Sequence, residues 1–263
     1  MKNILLIVVA LLLIVGGGYY FFIREEGDTY TKTPNTVTPT TTETTVPTTT
    51  PVTTEETTEE EVTGPESVIG ESADGKDIVA YHFGSGDKEL LFIGGIHGGY
   101  SWNTALLGFE LIDWFKANEK SIPENVKVTI IPVLNPDGLE KVTGSEGRFL
   151  ATDASKVESE RVAGRFNGND VDLNRNFDCE WKATGTWQNR AVSGGDSAFS
   201  EPESKAIRAY VSENEPTAVV TWYSAAGGVY ASNCKNGALE ETITLTNLFA
   251  KASGYTAHEE FDY

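Results

Sequence analysis

The chain has 263 residues, with 39 acidic and 20 basic side chains and a formal charge of −19. A polyanion would be repelled by that field unless a local basic patch overrode it, which excludes a nucleic-acid binder by bulk charge. The length admits one or two domains, but the apolar residues are so unevenly spread that only one fits.

From Ile4 to Ile23 the residues are apolar or small and carry no charge. A bilayer core requires about 20 such residues at helical rise, so residues 1–27 are predicted to hold a membrane-spanning anchor. Tyr19 to Phe22 would form its interfacial belt. Lys2 precedes the run, and Glu25 and Glu26 follow Arg24, which places the amino terminus in the cytoplasm and the remainder outside. A cleaved signal peptide is the alternative; its shorter apolar core ends at a small-residue site, whereas this run continues to Ile23. Residues 28–64 read as a disordered stalk. Thr29 to Thr63 contains 18 threonines, four prolines and a late glutamate cluster, and such a tract buries too little apolar surface to offset its ordering entropy.

Residues 65–263 form the predicted folded domain, which is itself acidic. Ile78 to Phe83 and Leu90 to Gly94 read as strands. Asn103 is the predicted cap of a helix reaching Ala117, with Leu107, Leu111, Trp114 and Phe115 on one face. Val126 to Leu134 is the next strand, stopped by Asn135-Pro136-Asp137-Gly138, read as a turn. Ser200 and Glu203 bracket Pro202 as a capping box for a helix through Val211. Thr217 to Trp222 is predicted as a buried strand, and Leu239 to Ser253 as a helix ended by Gly254. Strands alternating with helices predict an α/β sheet covered on both faces. Cys179 and Cys234 are even in number and lie in the part expected outside, so a disulfide between them is expected.

Chemistry-bearing residues gather at strand exits. In Gly94-Gly95-Ile96-His97-Gly98-Gly99-Tyr100-Ser101-Trp102-Asn103, His97 could be a metal ligand, part of an oxyanion loop or a turn residue. Gly99-Tyr100-Ser101 approaches a nucleophile elbow, but Asn103 stands where that elbow needs a second glycine. In Arg165-Phe166-Asn167-Gly168 and Val171-Asp172-Leu173-Asn174-Arg175-Asn176, an arginine fork beside an asparagine suits an anionic ligand. The plain alternative is a surface turn with Arg175 paired to Asp172 or Asp178.

The stretches Gly94 to Thr104, Asn135 to Gly138, Arg165 to Asp178, Phe199 to Glu203 and Trp222 to Tyr230 resemble, in the same order, those of the zinc carboxypeptidases of the A and B type and their bacterial cell-wall-peptide relatives. The resemblance implies a mixed twisted sheet with helices on both faces. It also implies that Asn174 and Arg175 hold a substrate's terminal carboxylate, and that Arg165 is the further arginine that helps polarise the scissile carbonyl.

Zinc in that family is held by a histidine and a glutamate in the first stretch and by a second histidine later. His97 matches, but Ser101 is read at the glutamate position and Tyr223 at the second histidine. A catalytic zinc needs about three protein ligands, and a phenol must first lose a proton from a group of pKa about 10. No bound metal is expected, and neither His82 nor His258 shows ligand spacing that would rescue the site. The family's general base, a late glutamate, has no match before Tyr263, so the domain is read as incomplete at its carboxyl end. The expected protein is a membrane-tethered, extracytoplasmic domain that recognises peptides with a free C-terminus without cleaving them. The alternatives are an active metallocarboxypeptidase and a purely structural surface module.

Overall fold

The computed structural model describes residues 65–260 apart from 233, 235 and 236. The anchor and stalk expected in residues 1–64 lie outside the described residues. Among the described residues no helix is long and apolar enough to cross a membrane.

The domain is built on a five-stranded mixed sheet. Its strands are β1 (Glu66–Glu71), β2 (Asp77–Phe83), β3 (Lys88–Ile93), β4 (Val126–Ile131) and β7 (Ala218–Thr221), in the spatial order β1-β2-β4-β3-β7. β1, β2 and β4 pair antiparallel, whereas β3 pairs parallel with both β4 and β7. The smaller strands are β5 (Thr184–Trp187) with β6 (Arg190–Ser193), an antiparallel hairpin, and β8 (Gly228–Tyr230) with β9 (Thr256–His258), a parallel pair. The helices are α1 (Trp102–Ala117), α2 (Pro136–Thr143), α3 (Glu158–Ala163), α4 (Pro202–Asn214) and α5 (Glu240–Ser253).

β3 shows why the sheet is buried on both sides. Leu90 and Phe92 join one apolar cluster, with Phe109, Ile112 and Phe115 of α1. Leu91 and Ile93, pointing the other way by the two-residue period of a strand, join a second with Ile207 and Tyr210 of α4. A near-continuous apolar run is what a strand flanked by helices on both faces requires.

Four local expectations are corrected. Asn103 lies inside α1, whose cap position is Ser101 and makes no side-chain bond. Asn135-Pro136-Asp137-Gly138 starts α2 and is no isolated turn: Asn135 Oδ1 accepts from Gly138 N at 2.8 Å, and Pro136 takes the first helical turn, where its missing N–H costs nothing. The capping box at α4 does not form, because Glu203 is drawn away to Ala73 N at 3.0 Å and Asn167 Nδ2 at 3.1 Å. The strand over Thr217–Trp222 is edge strand β7, with Val219 43% exposed, so its apolar composition does not place it inside the sheet.

Cys179 and Cys234 are joined in a disulfide across 55 residues. On the chain-entropy view, closing such a loop stabilises the domain by roughly 4 kcal/mol.

Asp137 is the polar anchor of this end of the fold. Fully buried in the first turn of α2, it accepts hydrogen bonds from Ser72 Oγ at 2.6 Å, Gly168 N at 3.0 Å, Lys76 Nζ at 3.1 Å and Asp74 N at 3.2 Å. Burial pushes its pKa up, but the bonds from Ser72 and Lys76, the Lys76 charge and the Asp74 amide together hold it below its ordinary value. A carboxyl lowered in the folded state stabilises fully above its unfolded pKa, and that contribution is lost as pH falls through the folded one. Asp137→Ala is expected to cost about 3 kcal/mol at pH 7, because it strands the amides of Asp74 and Gly168 and takes from Lys76 its buried partner, leaving it only Glu140 and Asp74, and clearly less at pH 3. Urea unfolding at the two pH values measures the difference.

Candidate functional site

His97 follows β3 and precedes a short 3-10 turn, Gly98–Ser101, that leads into α1. Glycine is required in this turn. Gly98 has φ +43° and its backbone lies against α2, so a Cβ there would meet Gly138 Cα at 2.7 Å; one on Gly99 would meet Val142 at 2.3 Å. The close approach pins the imidazole, which is 7% exposed. Its Nε2 is buried without a hydrogen-bond partner, 3.6 Å from Asp172 Oδ1. Burial, then the charges of Arg165 and Arg175, push His97 down to about 3, so the ring is neutral at physiological pH.

Asp172 organises the opposite wall. It is fully buried and receives Arg165 Nε at 3.0 Å and Nη2 at 2.9 Å on one oxygen, and Asn174 N at 3.2 Å on the other. Arg165 is 4% exposed, with its guanidinium 4.4 Å from the centre of the Trp187 ring and 5.7 Å from that of Tyr100. The β5–β6 hairpin that carries Trp187 is held there by Gln188 Nε2, which donates to Tyr100 OH at 3.1 Å.

Asn174 and Arg175 sit on a short 3-10 turn, Leu173–Arg175, capped by the Asp172 side chain. Asn174 Oδ1 accepts from Tyr223 OH at 2.8 Å, and the Tyr223 ring meets the His97 ring edge-on at 5.6 Å. Arg175 lies along Gly185, reaches Thr186 O only at 3.4 Å, and keeps a buried Nε with no partner. Among the described residues no ion pair joins Arg175 to Asp172 or Asp178, the two partners of the surface-turn alternative; Arg165 is the arginine that pairs with Asp172.

His97, Arg165, Asn174, Arg175 and Tyr223 are thus linked around Asp172. Ser101 is buried at the start of α1, where its carbonyl accepts from Thr104 Oγ1 at 2.8 Å and its amide donates to His97 O at 3.4 Å. Tyr100, one residue earlier, is the side chain that reaches Arg165 and the hairpin. His82 is engaged with Ser67 and Thr129 inside the sheet, and His258 stacks on Tyr230, so neither joins His97. Tyr100, Trp187 and the central role of Asp172 escaped the sequence reading. The aromatic pair carries no signal of its own, but Asp172, two residues before Asn174, could have been read as the cap of that turn.

The fold and the ordered cluster meet in one comparison. A family model described as zinc carboxypeptidase matches residues 60–257. The chain belongs to the zinc carboxypeptidase family. Metallocarboxypeptidase A of Trichophyton tonsurans is 30% identical over 131 residues, covering 46% of this chain and 29% of that protein. Human carboxypeptidase D is 35% identical over 98 residues, covering 35% of this chain and 6% of that protein. The chain therefore spans less than a third of the length of these relatives. Among solved structures, murein-tripeptide amidase MpaA from Escherichia coli O157 aligns with a TM-score of 0.50 at 19% identity, over 76% of this chain and 74% of that one. Carboxypeptidase A from Helicoverpa armigera aligns with a TM-score of 0.50 at 24% identity, over 68% and 45%. These likenesses show the shared fold.

The family implies zinc, and the donors around His97 do not fit it. Among the described residues there is no group of three or more histidine, cysteine, aspartate or glutamate side chains placed to hold a metal ion. Asp172 is committed through both oxygens. The Tyr223 ring is partly open to solvent, but its hydroxyl is tucked against Asn174, and loss of hydration together with the Asp172 charge pushes it up to about 12. A neutral phenol that donates its proton to an amide is a poor zinc ligand.

Asp172→Ala tests the wall itself. It leaves Arg165 buried without a counter-charge and is expected to destabilise the domain by about 3 to 5 kcal/mol in urea unfolding. Tyr223→Phe removes one partly exposed hydrogen bond and is expected to cost about 1 kcal/mol.

Proposed function

We propose that this domain recognises the free C-terminal carboxylate of peptides and does not hydrolyse them. The observation that carries the reading is Arg175: its buried Nε has no partner, and Asn174 lies beside it with its oxygen turned to Tyr223. Asp172 neutralises Arg165, so Arg175 is the excess positive charge of a cluster set in a strongly acidic chain. A planar guanidinium with an adjacent amide matches a carboxylate and supplies the missing acceptor. Arg165, held by Asp172 and covered by Trp187, acts as a positioning residue for the wall.

Non-catalysis rests on the donor set, in which one imidazole stands with a committed carboxylate and a protonated phenol. Export and tethering rest on the apolar run Ile4 to Ile23 and the threonine-rich stalk. The second reading, an active metallocarboxypeptidase, is favoured by family membership. Cell-wall peptides are one ligand class to include.

Short peptides with free C-termini are expected to bind, their amidated forms to bind much more weakly, and mass spectrometry after long incubation with zinc to find no loss of the terminal residue. Equal affinity for both forms overturns the carboxylate pocket; release of the last residue overturns the non-catalytic reading. Arg175→Ala is expected to lower affinity by about 1.5 to 3 kcal/mol, roughly 10- to 150-fold, in isothermal titration.

A further inference from the structure

A second polar centre lies between the sheet and α4, made of residues the carboxylate site does not use. Glu89, near the start of β3 and 4% exposed, has Lys127 Nζ 3.2 Å from Oε2. Its Oε1 accepts from Tyr210 OH at 2.6 Å and from the Thr129 hydroxyl. Thr129 has a single hydroxyl proton, and Glu89 receives it. Toward His82 Nδ1, 3.1 Å away, Thr129 Oγ1 can therefore only accept. That fixes the tautomer: Nδ1 carries the imidazole proton and Nε2 is a bare acceptor. The partner of Nε2 is Ser67 Oγ at 2.8 Å, so the serine hydroxyl donates to the imidazole.

A hydroxyl donating to neutral imidazole, whose other nitrogen is held through a hydroxyl by a carboxylate, has the donor order of an activated nucleophile. The groups facing His82 are Ser67 on β1, Thr129 and Lys127 on β4, Glu89 on β3 and Tyr210 on α4, whose ring stacks on the imidazole at 6.5 Å. Burial first, then the Lys127 charge, keep the imidazole below its ordinary pKa, which makes it the free base at neutral pH. Ser67 is only half-buried, on the edge strand β1. Satisfying Glu89 requires Thr129, Tyr210 and Lys127; it does not require a serine beyond the histidine.

We propose that Ser67 is a base-activated hydroxyl that accepts an acyl group from an activated ester, with His82 as general base and Thr129 and Glu89 as positioning residues. Ser67 Oγ attacks the ester carbonyl carbon and its proton moves to His82 Nε2. The Oγ–carbon bond forms, the carbon–aryloxide bond breaks with its electron pair on the aryloxide, and the His82 proton passes to that leaving group or to solvent. The products are acyl-Ser67 and the phenol.

The test is reaction of the full-length chain with p-nitrophenyl acetate, followed by release of nitrophenolate and by peptide mapping. One acetyl group is expected on Ser67, none in Ser67→Ala, and a rate about 100-fold lower in His82→Gln, the usual scale of general-base assistance. Thr129→Val is expected to shift the pH–rate profile, with Thr129→Ser restoring it. For the unmodified chain the rate should rise as His82 loses its proton and level off by pH 7, a readout that does not depend on the variants folding. No acetyl on Ser67, an undiminished rate in a folded His82→Gln, or a rate that keeps climbing with hydroxide to pH 9 overturns the proposal.

Discussion

The buried ion pair between Arg165 and Asp172 is the constraint around which this end of the molecule is arranged. An isolated carboxylate at zero exposure would be untenable, and so would an isolated guanidinium at 4%. Together they are held by two charge-assisted bonds, and each then organises a neighbour. Asp172 caps the turn that presents Asn174 and Arg175, and Arg165 offers its flat face to Trp187, which brings the β5–β6 hairpin over the cluster. His97 and Tyr223 fill the remaining sides. Because the pair is internally neutral, the charge that stays unmatched belongs to Arg175.

Family membership and site chemistry point in different directions, and the physical reason is local. The backbone that delivers His97 depends on glycines packed against α2, and that packing is indifferent to which side chain stands at position 101 or 223. A fold can therefore keep the geometry of a metal-binding loop after the electron-pair donors have changed. Ser101 and Tyr223 are engaged elsewhere: the first is buried at the start of α1 with its amide and carbonyl both bonded, and the second donates to Asn174.

The strands were legible where their burial follows from composition alone. β3 is apolar from Leu90 to Ile93 and β4 is buried at every position but Lys127, and both lie inside the sheet; β7 reads as a similar short apolar run but sits at an edge, because nothing in such a run states how many neighbours it has. The helix starts were less legible, since a cap is a competition. Glu203 has the spacing of a capping partner, yet Ala73 and Asn167, distant in sequence, offer its carboxylate better-placed donors. The same limit hid part of the site. Asn174 and Arg175 could be picked out as a candidate anion site by their own chemistry, whereas Trp187 matters only because the hairpin returns to Arg165. The cysteine pairing was readable because only two candidates existed.

The Cys179–Cys234 bridge closes a covalent ring that contains the β5–β6 hairpin, α4 and β7. A protease that nicked an exposed bond between those cysteines would not release a fragment: both pieces would stay joined through sulfur, and one of them would still carry the His97 and Arg175 walls in a single polypeptide. Such a clipped species would migrate as intact under non-reducing electrophoresis and separate only once a reductant was added.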